Sequence, residues 1–104
     1  MEMMSHKIQK DWGLFSPQAN QAFYRKAQSL AKKLDKAKAN NASHLKILNI
    51  FMVYFKSYNR SCSSYAEASD TAVREEVWGF ALDMAKSYGV SHDELDKLWD
   101  ERYK

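Results

Sequence analysis

The apolar residues Ala19, Phe23, Ala27, Leu30, Leu34 and Ala37 recur at spacings of four, four, three, four and three, the period of one face of an α-helix. Ser16 and Pro17 supply its start, a side chain that can cap orphan amides followed by a residue that needs no amide donor in the first turn. Asn40 and Asn41 supply its end, because Asn tolerates the left-handed backbone on which helices stop. The pattern predicts a second helix over roughly Ser43 to Asn59. There Leu45, Ile47, Leu48, Ile50, Phe51, Met52, Val53, Tyr54 and Phe55 run apolar almost all the way round, as in a helix buried at the centre of a fold.

The small-residue run Arg60-Ser61-Cys62-Ser63-Ser64 reads as a loop, and Ser64-Tyr65-Ala66-Glu67 as the cap of a short helical turn. A third helix is expected from Asp70 to about Tyr88, with Val73, Val77, Phe80, Ala81, Met84 and Tyr88 inward and Trp78, Leu82 and Ala85 widening that face. Gly79 inside it is worth ~1 kcal/mol less than Ala, which implies a close helix approach at that point. Gly89 suits the residue just past the helix end. Ser91-His92-Asp93-Glu94 is a capping box for a last helix carrying Leu95, Leu98, Trp99 and Tyr103, with Asp93 to Lys97 and Asp100 to Lys104 as supporting pairs. Met4, Ile8 and Trp12 are spaced for a short N-terminal turn that ends at Gly13.

The expected fold class is therefore all-α: a compact bundle of four main helices with a short N-terminal segment, forming one helical domain over residues 1–104. Three Gly and one Pro leave few sites for tight turns, and 45% hydrophobic residues are enough for a core. The longest apolar run, Ile50 to Phe55, is far short of the ~20 residues of a membrane span. Met1 to Lys7 lacks the layout of a signal peptide. With Cys62 as the only cysteine no intrachain disulfide is possible, so a reducing, cytoplasmic setting is the expectation.

Charge changes this picture most. From Met1 to Cys62 eleven Lys and Arg face three acids, a net of +8; from Ser63 to Lys104 five face ten, a net of −5. At about 100° per residue, Arg25, Lys32 and Lys36 fall nearly opposite the apolar stripe of the first helix, with Lys26 and Lys33 on one flank and Lys38 near its end. Lys46, Asn49, Lys56 and Arg60 share one narrow wedge of the second helix, so two basic strips are expected side by side. Lys and Arg bind phosphates through charge without a set spacing, although a solvated Lys-rich face also serves solubility alone. Tyr24, Tyr54 and Tyr58 lie where they could stack on unpaired bases, or else at the edge of the core.

The segment Met84 to Leu98, with a small residue at Ala85, a turn at Gly89, and apolar Val90, Leu95 and Leu98, resembles the helix-turn-helix of DNA-binding regulators. The resemblance implies a reading helix over His92 to Lys104. That helix holds Asp93, Glu94, Asp96, Asp100 and Glu101 against Lys97, Arg102 and Lys104, and phosphate repulsion opposes its docking in a groove. Its Asp93, Asp96, Asp100 and Glu101 instead suit a protein partner.

Enzymatic readings find little to stand on. His6, His44 and His92 are scattered, and there is no His-x-x-x-His, Cys-x-x-Cys or Gly-rich phosphate loop, so neither cofactor nor metal is expected. The leading expectation is a non-catalytic protein that contacts nucleic acid or a nucleoprotein complex through Arg25, Lys26, Lys32, Lys33, Lys36, Lys38, Lys46, Lys56 and Arg60. The alternative is a small inhibitor or adaptor docking the same basic face on an acidic protein. The opposed charges of the two halves also predict weak, salt-sensitive self-association and no membrane partner.

Overall fold

In a computed structural model that describes residues 17–65 and 71–101, four helices follow one another: α1 (Pro17–Ala39), α2 (His44–Ser64), α3 (Thr71–Ser87) and α4 (His92–Asp100). The described residues contain no strand, and the all-α, four-helix bundle read from the sequence is the fold. Ser16, Asp70 and Tyr103, and the N-terminal turn at Met4, Ile8 and Trp12, lie outside the described residues. No helix among the described residues is long and apolar enough to cross a membrane.

The local signals act where the pattern places them. α1 buries Ala19, Phe23, Ala27, Leu30, Ala31, Leu34 and Ala37, the periodic stripe plus one neighbour. It stops on Asn41, whose φ of 54° is left-handed. The amide of Ala42 then donates to the Ala37 carbonyl at 2.9 Å and that of Asn41 to Lys38 at 3.1 Å, which satisfies the carbonyls left over at the helix end. Gly89, at φ 75°, ends α3 in the same way, with the amide of Val90 donating to the Ala85 carbonyl at 3.0 Å. Ser43 caps α2 by accepting from the Lys46 amide at 3.2 Å. Ser91 and Glu94 make the full capping box of α4, each side chain accepting from the other's backbone amide at 3.1 Å.

α2 is the centre of the bundle, packed against both α1 and α4, while α3 packs on α4. Aromatic side chains fill the junction. Phe55, fully buried, stacks on Trp78 of α3 (6.3 Å between centroids) and meets Trp99 of α4 edge-on at 5.0 Å. Tyr58 stacks on Trp99 at 5.6 Å and receives Phe23 of α1 edge-on at 5.9 Å. One belt of rings thus joins all four helices.

Four sequence expectations are corrected. The run from Arg60 to Ser64 is not a loop: α2 continues through Ser64 and ends at an extended Tyr65. Ser61 is buried, and its hydroxyl donates to the Ser57 carbonyl one turn back at 3.1 Å, so the helix itself satisfies the polar group that favours a break. α2 is also not apolar-buried all round. Leu45 is 76% and Val53 42% exposed, because only α2's flanks toward its neighbours are covered. Asp93 and Lys97 do not form the ion pair that their spacing suggests. Finally, Gly79 marks no close helix contact: it is exposed, and a Cβ there would meet nothing within 4 Å. The conformational cost of a mid-helix glycine is therefore uncompensated, and Gly79→Ala is expected to stabilise the protein by ~1 kcal/mol. A urea midpoint that does not rise for this variant would contradict that reading.

Candidate functional site

Helices α1 and α2 run antiparallel, and the register is fixed where Lys26 Nζ donates to Ser57 Oγ at 2.6 Å. Between them lies a groove of about 260 Å³ lined by Lys26, Lys33 and Arg60 at its rim and by Leu30, Ile50, Val53 and Tyr54 beneath. The two basic strips of the sequence do meet here. Lys26 is half-buried, and burial, then the nearby Arg60 charge, holds its ammonium below the ordinary lysine pKa. On α2, Lys46, Val53 and Arg60 stand seven residues apart and so lie one above another, with Lys56 set back by about 60°. On α1, Arg25, Lys32 and Lys36 are exposed and follow the outer side of the same face over about 16 Å.

Lys38 stands apart from this group. It lies over the ring of Tyr88 at 5.6 Å, on the opposite flank of α1. There the Tyr88 hydroxyl donates to Asp35, and burial together with that carboxylate pushes the phenol's pKa up. Asp35 is the only acid in α1 and α2. Eight cations, Arg25, Lys26, Lys32, Lys33, Lys36, Lys46, Lys56 and Arg60, therefore share the other side with no carboxylate among them, and none makes an ion pair with a described residue.

In the acidic hairpin Gly89 makes the turn between α3 and α4, and Ala85, Val90 and Leu95 are buried. Asp93, Asp96, Asp100 and Glu101 are all exposed along α4. Besides Tyr88 to Asp35, the hairpin is linked to the basic half by His44 Nε2 and Glu94 Oε2 at 2.7 Å, a contact fifty residues apart in sequence. Glu94 is held below the usual carboxylate range, first by the backbone amide of Ser91 and then by His44.

Sequence reasoning missed Ser57 and Val53 as parts of the groove. The wheel of α2 carried the signal, since Val53 is an apolar residue in the middle of a basic wedge. Of the three tyrosines weighed as stacking residues, Tyr54 and Tyr58 are 6% and 2% exposed and belong to the core, while Tyr24 is half-buried on α1. Burial drives the Tyr54 pKa upward, so its phenol stays neutral. Cys62 is half-buried in α2, and no group of three metal-ligating side chains occurs among the described residues. Compared with protein-family models, curated proteins and solved structures, the chain matches none. Geometry and charge alone carry the functional reading.

Proposed function

We propose that this is a non-catalytic protein of the cytoplasm that holds nucleic acid, alone or within a nucleoprotein assembly, by its phosphate backbone. The observation that carries the reading is the set of eight cations on the α1–α2 face without a carboxylate among them. Such a set attracts phosphates at every ionic strength where screening leaves charge effective, and its affinity comes from counterion release rather than from a fixed pattern of contacts. With Tyr54 and Tyr58 in the core, base stacking by these rings is not available. Recognition is then through the backbone and indifferent to sequence.

One feature favours the second reading, an acidic protein partner. The groove floor of Leu30, Ile50 and Val53 lies between Lys26, Lys33 and Arg60, which suits an apolar side chain set among carboxylates. Val53→Lys separates the two. It adds a fourth cation to the groove, in line with Lys46 and Arg60, so duplex binding should tighten several-fold if phosphates are the partner. A protein partner that uses the apolar floor would instead be lost. Failure of the parent to bind random duplex DNA or RNA at low salt would remove the first reading.

A further inference from the structure

The second large groove lies on the other half of the molecule, between α3 and α4. It has a volume of about 350 Å³, and Trp78 and Trp99 line it with His92, Arg74, Glu75 and Asp96. One side of each Trp ring is occupied by α2, Trp78 by Phe55 and Trp99 by Tyr58. The two indoles meet at 5.5 Å and 56°, and His92 stands edge-on to Trp78 at 5.7 Å. Half-buried indole surface thus faces the groove from two helices.

Two carboxylates against one guanidinium give this groove a negative rim, and Asp93, Asp100 and Glu101 extend it along α4. Phosphate is repelled there. A Lys or Arg side chain is favoured twice, by the carboxylates and by the quadrupole of the Trp78 ring, which attracts a cation lying within about 6 Å of its face.

The chain itself carries the complementary surface. Lys32 and Lys36 are exposed one turn apart on α1, as Asp96 and Asp100 are on α4, so two ion pairs of equal pitch form when the helices lie alongside. Arg25 continues the same row, with Lys33 on its flank. No ion pair joins this row to α4 among the described residues, so the pairing is open to a second molecule.

We infer that the protein self-associates head to tail, the Arg25–Lys36 row of one copy lying in the Trp78–Trp99 groove of the next. The contact is heterologous: each copy uses both surfaces once, so assembly grows unless the rotation closes a ring. Between exposed charges it is weak and screened by salt. It stands on charge pairing within this sequence, whether or not the same row also meets phosphates.

Sedimentation velocity of the full chain at ~20 mM and ~500 mM salt tests it with two exposed-charge variants. One is Glu75→Gln with Asp96→Asn, which removes the charge of the groove; the other is Lys32→Gln with Lys36→Gln, which removes that of the row. At low salt the parent should sediment as species whose mass rises with concentration, and at high salt as a monomer of 12.1 kDa. Each variant alone should stay monomeric. Mixed one to one they should form a heterodimer that does not grow, because only the groove of the row variant and the row of the groove variant remain. A parent that is monomeric at low salt, a dimer that survives high salt, or a mixture that stays monomeric would each overturn the inference.

Discussion

The Lys32→Glu, Lys33→Glu, Lys36→Glu protein is expected to lose about 100-fold or more in affinity for random duplex at ~100 mM salt, since three of eight facing cations become repulsive. Lys32, Lys33 and Lys36 are exposed, and exposed substitutions of this kind usually change stability by less than about 0.5 kcal/mol each. Far-UV circular dichroism and melting should therefore be close to the parent's while binding collapses. A filter-binding or anisotropy titration gives the affinity. A triple variant that binds like the parent would remove the α1–α2 face from the mechanism. Loss of helicity alongside loss of binding would mean that these lysines also support the fold, contrary to their exposure.

The largest effect on stability is expected at Phe55. Its ring is fully buried, stacks on Trp78, meets Trp99 edge-on, and lies 5.9 Å from Tyr54. Phe55→Ala removes the transfer energy of the ring and leaves a cavity that helices on two sides cannot close without moving, a loss of about 3–5 kcal/mol. Small domains hold only ~5–15 kcal/mol in total, so the variant should sit close to its unfolding threshold at 37 °C. Urea unfolding followed by tryptophan fluorescence measures it directly. A loss under ~1 kcal/mol would show that the belt of rings around α2 is not what holds the four helices together. Because Phe55 backs Trp78 and Trp99, the same substitution loosens the α3–α4 groove, and through its contact with Tyr54 it also reaches the floor of the basic face.

Much of the architecture was legible because its causes are local. The stripe from Ala19 to Ala37, the left-handed stop at Asn41, the cap at Ser43 and the box at Ser91 and Glu94 each act within one or two turns of chain. The parts that were not legible depend on what lies opposite. Gly79 carries no sign of whether a neighbour approaches it, and here none does. Ser61 is a poor helix residue in isolation, but burial and its bond to the Ser57 carbonyl hold it in α2. Lys38 follows Lys36 by only two residues, yet a helix turns about 200° over that step, which carries it to Tyr88 and away from the groove. The charge split between the halves could be counted from the sequence. That the basic side would face no carboxylate, and that a Trp groove would open on the acidic side, required the antiparallel pairing of α1 with α2 and the placing of α3 against α4.

The central claim is that the α1–α2 face binds phosphate by charge, and the salt dependence of binding to random-sequence duplex tests it most directly. With about five to eight phosphates neutralised, the logarithm of the association constant should fall against the logarithm of salt concentration with a slope of about −4 to −7. The slope of the Lys32, Lys33, Lys36 triple variant should be shallower by about three, one for each lysine lost. A slope near zero for the parent, or the same slope for parent and triple variant, would contradict it.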